Sequence, residues 1–239
     1  MGSPSLLQRA WIVKLSGSLA EWGPLVDWLK LLARHAAERP IIIVPGGGPF
    51  GHAVRNVQDV WRLGNPIAHR MALLAMEQYG LLLQGVCPSL WLAAEFADLQ
   101  ANAREGRVSV WLPTRMALDR LMPADDWDAG ADSLAAWLAA ELGVERLVLV
   151  KSSAACPCGA TDAAAMAEEG IVDAAFPAWA ARFHGEIWCV SRERLEQMDT
   201  ALAANAGPGC ALRIRHQAAG KCRAIGGQAA IAVSQPGLA

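Results

Sequence analysis

The sequence predicts an α/β protein, a three-layer sandwich in which a mostly parallel central sheet carries helices on both faces. Three observations carry this. Short, strongly apolar and β-branched runs recur along the chain, for example Ile41-Ile42-Ile43-Val44 and Leu147-Val148-Leu149-Val150. Longer segments with helical spacing separate them, as crossover connections in a parallel sheet require. Two of the strand runs end in glycine-containing turns that lead into further helical sequence, at Lys14-Leu15-Ser16-Gly17-Ser18 and Val44-Pro45-Gly46-Gly47-Gly48.

In chain order, residues 10–15 read as a strand and residues 22–38 as a helix that stops before Pro40. Residues 41–44 form the second strand. Residues 66–83 form a long helix, with Met71, Leu74, Ala75, Gln78 and Leu82 at helical spacing. Residues 92–105 read as another helix, 108–112 as a strand, 132–142 as a helix and 146–150 as a strongly apolar strand. Residues 187–190, 212–215, 222–225 and 229–233 are shorter strand candidates, the last three lying in a glycine-containing tail that begins after Asn205. That tail is expected to form a terminal hairpin on the sheet or to be partly loose.

Composition excludes several classes. The 239 residues are 54% hydrophobic, enough for a sizeable core, and the formal net charge is −2. There is no basic surplus for nucleic acid and no acidic, disordered tail. The N-terminus lacks the charged, apolar and cleavage regions of a signal peptide, and no uninterrupted apolar run reaches membrane-spanning length, so cytoplasm is the default compartment. Of six cysteines only Cys156 and Cys158 are close-set. Without a second ligand pair they read as reduced loop thiols rather than half of a metal centre, and no metal-ligating set is expected.

The chemistry gathers at strand ends. Glycine lets backbone approach a ligand closely, and the amides of such a turn plus the positive end of the next helix make an anion site. Gly46, Gly47 and Gly48 suit that use, with the following helix expected to start near Gly51. So do Gly17 and Ser18, beside Lys14, which supplies a mobile positive charge. The bland alternatives are ordinary turns and a solvated lysine. Neither stretch is a Walker A loop or a dinucleotide fingerprint, since both spacings are wrong. Two phosphate-suited junctions at the carboxyl ends of strands suit two anionic ligands meeting above the sheet, the arrangement phosphoryl transfer needs. Asp132, at a helix start, is the candidate carboxylate to order cations there. Considered locally, the helix-cap reading of Asp132 is the stronger of the two. Lys151 ends the 146–150 strand and shares the strand-end position of Lys14.

Together these pieces resemble the amino acid kinase superfamily, over roughly residues 11–176. Lys14 with Gly17 and Ser18 looks like that family's first phosphate loop, and Gly46, Gly47 and Gly48 like its second, acceptor-holding loop. Asp132 looks like its helix-start aspartate, and Lys151 falls where its nucleotide-side loop begins. The helix from Ala68-His69-Arg70-Met71-Ala72 to Gln78-Tyr79-Gly80, Trp127-Asp128 ahead of Asp132-Ser133, and Val172-Asp173 ahead of Phe176 resemble one branch, the aminomethylfuran phosphate kinases of methanofuran and methylofuran biosynthesis. The resemblance implies an amino acid kinase-like fold and an ATP-dependent kinase using Mg2+. Its expected acceptor is a small phosphorylated substrate, aminomethylfuran-methyl phosphate, converted to its diphosphate.

On this resemblance Lys14, Asp132 and Lys151 are catalytic. Gly17, Ser18, Gly46, Gly47 and Gly48 bind phosphate, while His52, Arg55, His69 and Asp128 contact the acceptor. The whole chain, 1–239, is read as one domain, with an acceptor-side lobe over about 10–125 and a nucleotide-side lobe over about 126–235. Relatives of this fold assemble into oligomers, which implies a homo-oligomer here; the ten tryptophans and the 66–83 helix suit either its interface or, as the blander use, core packing. Departures from the family pattern are Lys151-Ser152-Ser153-Ala154-Ala155-Cys156 in place of Thr-Asp-x-Asp-Gly, no Met-x-x-Lys after Gly185, and no Gly-Thr-x-Ile ending. Two alternatives follow: a kinase for another small phosphate such as isopentenyl phosphate, and a non-catalytic anion-binding or storage protein of the same fold.

Overall fold

The computed structural model describes residues 5–121, 129–152, 159–208 and 212–215. The strands are β1 (Trp11–Leu15), β2 (Ile41–Pro45), β3 (Leu90–Ala93), β4 (Val108–Trp111), β5 (Arg146–Lys151), β6 (Gly159–Asp162), β7 (Glu186–Ser191) and β8 (Leu212–Arg215). They form one sheet in the order β3-β4-β2-β1-β5-β7-β8-β6. The first six in that order run parallel; β8 is antiparallel to β7 and parallel to β6. The helices are α1 (Leu25–His35), α2 (Gly48–Trp61), α3 (Asn65–Val86), α4 (Phe96–Arg104), α5 (Pro113–Leu121), α6 (Ala131–Leu142), α7 (Ala163–Glu168), α8 (Phe176–Ala180) and α9 (Leu195–Ala204). None of the described helices is long and apolar enough to cross a membrane.

Every residue of β1 and β2 is buried, as expected for central strands covered on both faces. Side chains alternate between faces, and the core divides accordingly. Ile12, Ile42, Val44, Leu147 and Leu149 pack with α6, through Leu134, Ala135 and Leu138, on one face. Trp11, Val13, Ile41, Ile43, Val148 and Val150 pack with α1 and α9, through Trp28, Leu32, Met198 and Leu202, on the other. The alanines of α6 let it lie close to the sheet, and its interior residues are almost all buried.

Several boundaries differ from the sequence expectation. Residues 92–105 are not one helix: Leu90–Ala93 is an edge strand beside β4, and the helix begins only at Phe96. Pairing with β4 overrides the helical spacing there. The 22–38 helix shortens to Leu25–His35, with Pro24 as its N-cap and turns after His35, and Gly17–Glu21 forms a 3-10 turn ahead of it. The helix after the second glycine loop begins at Gly48, not near Gly51. Helices α5, α7, α8 and α9 and strand β6 had not been expected. Of these, α7 (Ala163–Glu168) is too alanine-rich to show an amphipathic face, and β6 has no apolar run. The strand candidates at 222–225 and 229–233, and Cys156 and Cys158, lie outside the described residues.

Candidate active site

Strand parity brings the two lysines together. Lys14 shares the face of Ile12, and Lys151 shares the face of Leu147 and Leu149, which is the face that α6 covers. In the parallel β1–β5 pairing Lys14 stands opposite Leu149, so Lys151 lies two residues further along on the same side. Both point at the N-terminus of α6. They are not solvated strand-end lysines: Lys14 is 5% exposed and Lys151 6%.

Asp132, 6% exposed, sits between them in the first turn of α6. Lys151 Nζ donates to Asp132 Oδ2 at 2.6 Å. Lys14 Nζ lies 2.7 Å from Oδ1, an ion contact off the hydrogen-bonding direction, and reaches Ser16 Oγ at 3.4 Å. Burial by itself would raise the Asp132 carboxyl, but the two ammonium groups outweigh it and hold the group down at about 2. Burial pulls Lys14 below its ordinary value; Asp132 opposes that shift and the Lys151 cation adds to it.

The helix-cap alternative for Asp132 does not hold. The N-cap of α6 is Gly130, which has no side chain to cap with. The cap comes from 41 residues downstream: Asp173 Oδ2 accepts the backbone N–H of Asp132 at 3.1 Å and of Ser133 at 3.0 Å. The Ser133 hydroxyl donates to Asp173 Oδ1. Burial and then the neighbouring Asp132 charge push the Asp173 carboxyl upward, against the helix donors. In the sequence Asp173 stands only in the Val172-Asp173 pair ahead of Phe176, with no role of its own. Its placement depends on a distant loop reaching α6, and no local pattern signals that.

The two glycine loops touch each other directly. A Cβ on Gly17 would stand 2.4 Å from Gly48 N, and one on Gly46 would stand 2.5 Å from Gly17 N. Only glycine fits at these two positions, which brings both backbones to one spot. β1 and β2 end level, Leu15 opposite Pro45, so both loops emerge on the same side as Lys14. The N-terminus of α2 opens into the same space, and its unpaired amides favour anions there.

These groups line one cleft of about 910 Å3. Around it stand Lys14, Gly17, Ser18, Gly46, Gly47, Gly48, His52, Arg55, His69, Asp132 and Lys151, so the structure brings together every described residue that the sequence had singled out. Asp128 lies outside the described residues. His52 and Arg55 are exposed on α2, while His69 is buried on α3. Burial lowers His69 to about 4, leaving a neutral imidazole near pH 7. Apolar Ala72, Leu73 and Met76 of α3 complete that wall, and the stretch from Glu169 to Ala174 forms another.

The described residues do not fit magnesium as a resident ion. Both Asp132 oxygens are held by lysines, both Asp173 oxygens by donors of α6, and no described cluster of three His, Cys, Asp or Glu side chains exists.

Comparison with known proteins bears on the family and the fold. The chain is 27% identical over 139 residues to [5-(aminomethyl)furan-3-yl]methyl phosphate kinase of Methanocaldococcus jannaschii, a match covering 58% of this chain and 63% of that protein. The match thus spans a little less than two thirds of the length of this curated relative. Uridylate kinase of Archaeoglobus fulgidus superposes with a TM-score of 0.63 at 13% identity, covering 86% of this chain and 99% of that one. UMP kinase of Ureaplasma parvum superposes with a TM-score of 0.62 at 13% identity, covering 87% and 98%. These likenesses show the fold. The model of the amino acid kinase family matches residues 9–155, well over half of the sequence, and the chain belongs to that family.

Proposed function

We propose that this protein is an ATP-dependent kinase that phosphorylates the phosphate of a small monoester, most specifically [5-(aminomethyl)furan-3-yl]methyl phosphate. One observation carries the reading: two buried lysines converge on one aspartate beneath two touching glycine loops. That is a preorganised cationic floor under a phosphate cradle. The sequence match to the furan phosphate kinase supports the acceptor.

Phosphoryl transfer asks mainly for positioning and charge neutralisation. An acceptor phosphate oxygen attacks the γ-phosphorus of ATP; the bond from that phosphorus to the β–γ bridging oxygen breaks, and ADP leaves. The nucleophile is already anionic, so no general base is required. Lys14 and Lys151 neutralise charge on the transferred group. The amides of Gly17, Ser18, Gly47 and Gly48 donate to phosphate oxygens, most usefully as the transition state forms; the Gly46 N–H, expected from the sequence to join them, is donated instead to Leu15 O at 2.9 Å, so Gly46 serves the close approach of the two loops. Asp132 keeps the ammonium groups in place. His52 and Arg55 hold the acceptor phosphate, and neutral His69 faces its organic part. Any Mg2+ arrives on the nucleotide's phosphates, as that ion commonly does. ATP as donor fits a cytoplasmic setting.

We also propose a homo-oligomer. Ile67, Leu74 and Leu81 are exposed on α3 at seven-residue intervals, a spacing that lines up along one helix face. About a two-fold axis at Leu74, Ile67 of one copy meets Leu81 of the other and Leu74 meets itself.

The test follows ADP and phosphorylated product together with Mg-ATP and a panel of the furan phosphate, isopentenyl phosphate and UMP. Diphosphate from the furan phosphate alone is the expected result. Turnover of isopentenyl phosphate instead would transfer the reading to that acceptor. A folded protein that turns over none of them would replace it with anion binding or storage.

A further inference from the structure

We propose that Asp173 is a positioning residue that sets the Lys14–Asp132–Lys151 cluster from outside it. The proposal concerns the same site and rests on the kinase reading only for its kinetic consequence.

Helix α6 has Gly130 as its N-cap and so no side-chain cap of its own. The backbone N–H groups of its first turn would be unpaired donors beside two buried cations, and a buried unpaired N–H is costly. Asp173 receives two of them, at 3.1 and 3.0 Å, and takes the Ser133 hydroxyl as well. One of those N–H groups belongs to Asp132 itself, the residue whose carboxylate both lysines approach. The backbone that carries the carboxylate is therefore fixed by Asp173, while the side chain is fixed by the lysines.

Gly130 makes the fit obligatory from the other side. A Cβ there would lie 2.6 Å from Asp173 Oδ2, so only glycine leaves room for the distant carboxylate. Asp173 stands in the Glu169 to Ala174 stretch that walls the cleft, so a shift of that wall on ligand binding would pass directly into α6 and Asp132.

The experiment reads the cluster without needing activity. Limited acetylation of the full-length protein, followed by mass spectrometry, gives the rate at each lysine relative to exposed Lys30. In the native protein Lys14 and Lys151 are protected. Asp173→Ala is expected to speed their labelling at least tenfold and to lower kcat at least tenfold, with the KM for ATP within about twofold. Asp173→Asn keeps a side-chain acceptor and is expected to recover most of the protection and of kcat. Gly130→Ala, which displaces Asp173 without removing it, is expected to act like Asp173→Ala. Asp199→Asn loosens the α1–α9 contact on the other face of the sheet and controls for general loss of stability.

Unchanged labelling in both Asp173→Ala and Gly130→Ala would overturn the proposal. So would an equal rise in Asp199→Asn, or an Asn variant no better than Ala. Absence of kinase activity in the native protein with the expected labelling pattern would sink the kinase reading and leave the positioning role standing.

Discussion

Lys151, the last residue of β5, donates to Asp132 Oδ2 at 2.6 Å and so ties the end of a central strand to the first turn of α6. Lys14 reaches the other oxygen from β1. A single carboxylate thus holds two buried cations at the floor of the cleft. The attraction is strong at this burial, but so is the cost of removing three charges from water. That balance separates the chemical from the structural consequences of mutation.

Replacing Lys14 by Met leaves Asp132 paired with Lys151 and removes one desolvated charge. The Lys14→Met variant is expected to melt within a few degrees of the native protein and to lose about 10²–10³ in kcat. Thermal melts alongside ADP release check both halves. Native-like turnover would end the assigned role of Lys14.

Asp132→Asn should behave differently, because it strands two buried ammonium groups. The expected cost is about 3–5 kcal/mol of stability together with loss of turnover, read from urea denaturation. The sign of the pH effect follows from the lowered carboxyl. Folded Asp132 titrates at about 2 against an ordinary value of 3.8. Its stabilisation is present above the ordinary value and is lost as pH falls through 3.8 toward 2. The Asn variant should lack that acid limb.

His69 supplies an acid limb at higher pH. Its folded value is about 4 against an ordinary 6.5, so between those limits the unfolded chain takes up the proton and the folded one does not. Stability therefore falls as pH drops through that window, by about 1.4 kcal/mol for each pH unit. His69→Gln should flatten the denaturation midpoints between pH 6.5 and 4. Midpoints that keep the native slope would show that another group titrates there.

Leu74, 45% exposed at the middle of the α3 stripe, tests assembly. Leu74→Glu places like charges face to face across the proposed two-fold axis. Sedimentation velocity is expected to show an oligomer for the native protein and a monomer for the variant, with unchanged helicity. A native protein that sediments as a monomer would remove the assembly proposal.

Much of the site was legible because its parts are local. A buried strand ending in lysine, followed by glycine, shows in five residues around Lys14. The run Gly46-Gly47-Gly48 after three isoleucines and a valine is equally plain. The edge strand Leu90–Ala93 was not legible, since its two ends alone are buried and its identity comes from the hydrogen bonds of β4. The short helix α7 was also hidden, because a run of alanines gives no apolar periodicity to read. Asp132 was ambiguous for a related reason: an aspartate at a helix start has the same sequence signature whether it caps the helix or faces a cation.

By itself the sequence determined the alternating strands and helices, the glycine turns at two strand ends, and which residues could carry charge or bind phosphate. Those follow from short-range sterics and from the two-residue and 3.6-residue periods. The tertiary structure alone decided that β1 and β2 end level, so that Gly17 and Gly46 close on each other, and that β5 lies beside β1, so that two lysines 137 residues apart share one aspartate. It also decided that Asp173, and not Asp132, caps α6. These are relations across the sheet and between distant loops. They depend on strand order and register, which the packing of both faces fixes together and which no local stretch of sequence encodes.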